Sequence, residues 1–273
     1  MKLFYLLIIL LLSTSCSNEI AEKIDTGGNT IRIGEIGTFA NGAGEWVWKT
    51  GDKLSVKVNG STAEYTYTAA GKWSCGNTSF TKEAVGMVAT NGVSLSFGES
   101  KLVEIQTAES DYRRADYMTG TGSLDVITIS GNLTHQNTDI VIDITEGEGW
   151  NGMFNSAMAD VERLSIHKTY AGGKYAIRTY RQGSTTFRAI LPPAYVSTGD
   201  NVLLGYLTLG SNAGTPQSLR GKSAAIIYTN NEPSVSGKRF TLSVKLDASL
   251  NLTITDITVK SFAGVDVPGE LKP

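Results

Sequence analysis

Cysteine and histidine are scarce in this chain, with two of each among 273 residues. Neither His135 nor His167 has a second His or a Cys at ligand spacing, so no structural zinc donor set is present. Charge is sparse as well: 24 Lys and Arg stand against 26 Asp and Glu, a net charge of −2, and no basic field exists to attract nucleic acid. Glycine loops that cradle phosphate after a strand are lacking, as is the G-x-S-x-G nucleophile elbow. No catalytic residue, metal ligand or cofactor is therefore assigned, and the chain is read as a non-enzyme. Helical periodicity is nearly missing too, which leaves Thr, Val, Ile, Tyr and Gly to build antiparallel β-structure.

The one long apolar run, Leu3 to Leu12, is about ten residues and too short to cross a hydrocarbon core of roughly 30 Å. Lys2 lies before it, and Ser13-Thr14-Ser15 and Cys16 follow. This pattern reads as a bacterial lipoprotein export signal over 1–15 with lipidation at Cys16. Each buried acyl methylene contributes roughly 0.8 kcal/mol, and several chains on one cysteine hold a protein at a membrane. Residues 16–29 read as a flexible tether that ends in Gly27-Gly28. Removing Lys2 with the signal leaves 23 basic and 26 acidic side chains, a balance of −3. Cys75 is then the remaining cysteine, so no intrachain disulfide is expected. It is either a small packed hydrophobe or a reactive thiol.

The clearest local structure lies in Lys53 to Thr68. Leu54, Val56 and Val58 alternate with polar neighbours, Asn59-Gly60 supplies a type I′ turn, and Ala63, Tyr65 and Tyr67 continue the period of two. Similar runs predict strands at Ile31 to Ile36, Val93 to Phe97, Lys101 to Thr107, Val126 to Ile129, Ile140 to Ile144, Arg163 to Tyr170 and Tyr175 to Tyr180. They recur at Thr185 to Ile190, Asn201 to Leu209, Ser223 to Tyr228, Arg239 to Leu246 and Leu250 to Lys260. Such spacing indicates sandwiches or barrels. A short helical turn is expected at Ser156 to Val161. The charged and then Gly/Thr/Ser-rich stretch Tyr112 to Ser123 reads as a connector between two domains, 30–120 and 121–273.

Two clusters leave alternatives open. Glu146 and Glu148 are paired carboxylates, part of a calcium loop with Asp143, or a polar turn between strands. Trp46, Trp48, Trp73 and Trp150 are either core packing or a sugar-stacking platform.

Several segments in order resemble the fimbrillins, the pilin subunits of Bacteroidales, and their fimbrillin-like relatives. Trp48-Lys49-Thr50-Gly51-Asp52-Lys53-Leu54-Ser55-Val56 resembles the family's W-x-x-G-D-x-hydrophobic-x-V element, followed by a Tyr-rich strand and Gly71-Lys72-Trp73. Ala115-Asp116-Tyr117-Met118 is similar to its junction segment, and Leu133-Thr134-His135 with Ile140-Val141-Ile142 to the strand pair that follows. Ala189-Ile190-Leu191-Pro192-Pro193 and Gly237 to Leu246 resemble two later elements. Leu133 stands where the family has an aromatic, and no terminal Trp follows Ile257.

The resemblance implies an all-β fold of two tandem transthyretin-like antiparallel β-sandwich domains after the lipoprotein signal peptide. It also implies a fimbrial subunit or anchor at the outer membrane and cell surface, acting in adhesion. Its partners would be other fimbrial subunits, in a homo- or hetero-polymer, the membrane through the lipid, and host or bacterial surface ligands. In that family a trypsin-like, often Arg-specific, protease removes the lipidated segment with the first strand, and the C-terminal strand of another subunit fills the groove. Carried onto this chain, Ile31, Ile33 and Ile36 are first-strand plugs. Arg32, the one arginine before Arg113, is either the processing site or an outward residue of an edge strand. Leu250, Leu252, Ile254, Ile257 and Val259 are the donor residues, with a register change near Asp256 that a bulge or a break between two strands would produce. Beyond them Val265 and Val267 precede Pro268, which ends any strand. The other reading is a non-polymerising surface lipoprotein that binds glycan or host protein.

Overall fold

The computed structural model describes residues 29–38, 47–86, 92–170, 173–193, 195, 198–230 and 236–261. The expected signal 1–15, Cys16, most of the tether and Trp46 lie outside the described residues, as do Val265 and Val267.

Strand content dominates, as the composition implies. The first sheet is built from β1 (Arg32–Thr38), β2 (Lys53–Val58), β3 (Ser61–Tyr67), β4 (Trp73–Cys75), β5 (Val93–Phe97), β6 (Met118–Asp125) and β7 (Thr128–His135), in the order β1-β7-β6-β5-β2-β3-β4. The β2–β3 hairpin has the expected register, and Asn59 and Gly60 adopt φ of 47° and 86° as the type I′ turn requires. Its inward residues Leu54, Val56, Val58, Ala63 and Tyr65 join Leu95, Phe97, Met118, Ile129 and Leu133 in one buried core. In place of two facing sheets, a single curled sheet wraps this core. Its edge strands β1 and β4 approach each other, and Thr30 bridges to Thr81 just before the short helix α1 (Lys82–Val85). Cys75 is half-buried against the core.

The second unit has two sheets around a larger core. One holds β9 (Val161–Tyr170), β10 (Gly173–Arg178), β13 (Gly199–Leu209) and β14 (Ser223–Asn230), in the order β10-β9-β13-β14. The other holds β8 (Thr138–Glu146), β11 (Tyr180–Arg181), β12 (Thr186–Leu191), β15 (Lys238–Leu246) and β16 (Leu252–Ser261), in the order β11-β12-β8-β15-β16. Ile142, Ile144, Leu164, Ile166, Phe187, Leu207, Leu209, Ile226 and Val244 fill the space between them.

Two of the three sheets are mixed, which corrects the antiparallel expectation for them, while β10-β9-β13-β14 is antiparallel throughout. β1 pairs with β7, and β8 with β15, in parallel. Both pairs join segments far apart in sequence, where the intervening chain is long enough for a crossover. The expected connector is structured: α2 (Glu109–Ala115) is followed by β6, which pairs with both β5 and β7. The expected division at 120/121 thus falls inside a strand of the first sheet. Lys101 to Thr107 is not a strand; it contributes one bridge, Ile105 to Arg178, and the buried Gln106. The expected helical turn is present as α3 (Phe154–Ala159).

A buried polar joint links the units. Tyr112 of α2 stacks on Tyr180 with ring centroids 5.4 Å apart, lies under the Arg188 guanidinium at 4.9 Å, and donates its hydroxyl to Asp139 at 3.0 Å. Burial and the Asp139 carboxylate push the Tyr112 phenol well above its ordinary pKa, so it acts as a donor. Asp139 also accepts from Arg188 and, at 2.6 Å, from Arg239. Beside it the Gln106 amide donates to the carbonyls of Val103 and Ile190 and accepts from the Ile190 amide.

Candidate functional site

The first strand occupies an edge. β1 hydrogen-bonds to β7 and to no other strand of the sheet. Ile31, one residue before it, is 1 % exposed and Ile36 is 7 % exposed; both belong to the first core, and Ile33 packs against it half-buried. The Tyr65 hydroxyl donates to the Ile31 carbonyl at 2.8 Å and closes the start of the strand. Arg32 is exposed between these plugs, while its backbone N–H donates to Ile127 at 2.7 Å. β1 carries one extra residue between Ile33, opposite Ile129, and Ile36, opposite Gly131. This is a bulge, and it keeps both isoleucines on the core side.

The last strand is an edge too. β16 pairs with β15 alone within its sheet, and Leu252, Ile254, Ile257 and Val259 lie half-buried against the second core. The register change expected near Asp256 is a bulge within one continuous strand: Ile254 faces Val244, Asp256 faces Ser243, and Thr255 is the extra residue. Leu250 is not part of the strand. It sits at φ 64° in the turn that joins β15 to β16, where its N–H donates to Asp247. The strand signal misplaced it because an apolar residue in a tight turn looks like the next step of an alternation.

The two edges carry the same inward spacing. Ile31, Ile33, Ile36 and Thr38 are separated by steps of two, three and two, and so are Leu252, Ile254, Ile257 and Val259, with a bulge at the step of three in each.

Beside β1 runs a groove of about 500 Å³, lined by Arg32 to Ile36 on one side and by Trp48, Tyr67, Lys72 and Trp73 on the other. The Trp48 and Trp73 rings meet edge to face at 5.0 Å, Tyr67 and Trp73 at 5.1 Å, and Trp48 rests on Phe97 at 5.4 Å. The Trp48 indole N–H donates to the Ile36 carbonyl at 3.4 Å. Two of the four expected platform tryptophans therefore meet. Trp150 is buried in the second core, where its indole donates to Leu246 at 2.6 Å.

The W-x-x-G-D element has a positioning task. Asp52 receives the Lys49 N–H at 2.8 Å and the Arg113 guanidinium, which also donates to the Val47 carbonyl at 2.9 Å and so ties α2 to the first sheet. His135 donates or accepts through Nδ1 at 2.9 Å from the buried Asp116, whose carboxyl burial raises above its usual range while His135 opposes the shift. Asp143 accepts from Thr186 at 2.7 Å, and Glu146 and Glu148 are exposed beside a polar turn.

Among solved structures, a Bacteroides uniformis "putative cell adhesion protein" superposes with a TM-score of 0.55 at 14% identity, covering 86% of this chain and 98% of that one. This chain has the fold of that protein. A second "putative cell adhesion protein", from Bacteroides ovatus, matches with a TM-score of 0.54 at 13% identity over 85% of this chain and 97% of its own. A fimbrial protein from Bacteroides ovatus is matched at 12% identity, with a TM-score of 0.44. No protein-family model and no curated protein matches the chain.

Proposed function

We propose that the chain is a fimbrial subunit or anchor of the cell surface, lipidated at Cys16 and joined to its neighbours when β16 of one copy takes the place of β1 in the next. The matched spacing of the two bulged edge strands carries this reading. Removal of β1 leaves β7-β6-β5-β2-β3-β4 contiguous, with slots for Ile31 and Ile36 opened to water beside the free edge of β7. Such an edge is costly until another strand supplies both its hydrogen bonds and its apolar side chains. In β16 the four apolar residues are half-buried at home, so detachment costs less than unseating four fully buried residues would, and complete burial in a neighbour gains the difference. The likeness to adhesion proteins supports a surface role at the level of fold.

Arg32 is exposed at the start of β1; cleavage after it requires the first residues of the strand to lift from Ile127, removes Ile31, and leaves residues 33–38 as a shortened strand that β16 of a neighbour must then displace to take the slot of Ile36. Purified, delipidated protein treated with a trypsin-like protease is expected to lose the segment through Arg32 and then form SDS-resistant ladders on gels and filaments by microscopy. The Arg32→Ala variant is expected to do neither. Loss of the segment with a strictly monomeric product overturns the proposal.

A further inference from the structure

We infer that the outer face of the sheet β10-β9-β13-β14 binds an acidic saccharide, a sugar that carries a carboxylate or a sulfate. β9 turns Leu164 and Ile166 into the core, so Arg163, Ser165 and His167 face outward. The register sets Arg178 of β10 and Tyr206 of β13 on either side of Ser165, and sets Thr208 between Arg163 and Ser223. Small side chains in the middle and large ones around them make a dish of about 390 Å³, at the lower end of the range for small-ligand sites.

The floor of the dish is hydroxylic. Ser165, 6 % exposed, holds its Oγ 2.9 Å from His167 Nε2, and the buried Thr208 hydroxyl is 2.9 Å from that of Ser223. Tyr206 meets His167 edge to face at 5.0 Å, which fixes its ring at the rim as a stacking surface. Arg163 and Arg178 are diagonal cross-strand neighbours about Ser165, a separation of roughly 7–8 Å that lets both long side chains reach one ligand. At the joint between the units the chain places the buried Asp139 between Arg188 and Arg239. The described residues that line the dish include no carboxylate. Glu162 reaches Arg163 at 3.2 Å, but the two side chains are 53% and 47% exposed, which makes the pair loose and readily exchanged. A guanidinium fork matches a carboxylate or sulfate in two-point geometry, and the hydroxyl floor and Tyr206 ring suit the hydroxyls and ring face of a sugar. The dish uses no residue of β1 or β16, so the inference stands apart from strand exchange.

The test is calorimetric titration of the full chain with galactose 6-sulfate, glucuronic acid, galactose and sodium sulfate. Saturable binding of at least one acidic sugar is expected at about 1 mM or tighter, with galactose and sodium sulfate at least about tenfold weaker. The acidic sugar that binds identifies the anion. Arg178→Ala and Arg163→Ala are each expected to weaken binding about tenfold at unchanged melting temperature, and Arg178→Lys to retain part of it. No saturable binding of either acidic sugar, undiminished binding by Arg178→Ala, or sodium sulfate binding as tightly as galactose 6-sulfate would each overturn the inference.

Discussion

Deletion of the chain through Thr38 removes two nearly complete isoleucine burials, Ile31 and Ile36, and the partial burial of Ile33. At about 2–3 kcal/mol for each full burial, the first core loses about 6 kcal/mol. That is comparable to the whole stability of an ordinary domain, about 5–15 kcal/mol, so the first sheet should stand at its unfolding threshold. The second core contains none of these residues and should be unaffected. Guanidinium denaturation followed by tryptophan emission separates the two, because Trp48 and Trp73 pack on the first core and Trp150 in the second, and Trp150→Phe isolates the first. The truncated chain should show the first transition moved to low denaturant and the second unmoved. A synthetic peptide spanning Leu250–Ser261 should restore the first transition. The same peptide with Ile257→Asp, which places a charge in the slot of Ile36, should bind at least about a hundredfold more weakly. An unmoved first transition after truncation, or equal rescue by the two peptides, would refute the slot assignment.

Three further outcomes are expected. Asp139→Asn leaves Arg188 and Arg239 facing each other in a nearly dry joint and should cost about 3–5 kcal/mol in denaturant titration. Asp160 accepts from Thr215 and Asn212, and these bonds hold its carboxyl below the usual 3.8. Since the folded value is the lower one, its contribution to stability is fully present above pH 3.8 and is lost as pH falls below it, so Asp160→Asn should flatten the acid limb of melting temperature against pH. Metabolic labelling with radioactive palmitate should mark the native protein in its host, and Cys16→Ala should abolish the label.

Much of the strand pattern was legible because period-two alternation is a local property. Lys53 to Tyr67, Val93 to Phe97 and Arg239 to Leu246 lie where their side chains indicate, and the bulge near Asp256 shows in the sequence as a slipped alternation. β6 was not legible: Met118 to Asp125 has Gly120 and Gly122 in place of apolar residues, because β7 packs so closely that a Cβ on Gly120 would lie 1.7 Å from the Asn132 carbonyl oxygen. A Gly/Thr/Ser strand of this kind reads as a linker. α2 escaped because its seven residues are mostly charged, and only Tyr112, Arg113 and Ala115 are buried. Of the candidate sites, the plugs and the donor strand were visible as alternating apolar residues, whereas the dish was not. Arg163, Arg178 and Tyr206 lie on three strands, and only the register brings them around Ser165.

The Asp139 cluster has a mechanical consequence. Two residues separate the end of β7 from the start of β8, and parallel pairing with β15 sets Asp139 opposite Arg239, whose other neighbour is Lys260 near the close of β16. Tension between residue 137 and residue 261 would therefore pull at one end of the three-strand ladder and peel it rung by rung. The first rung to yield is the one clamped by Asp139, Arg188 and Arg239, so the buried ionic contact of the joint lies where tearing would start.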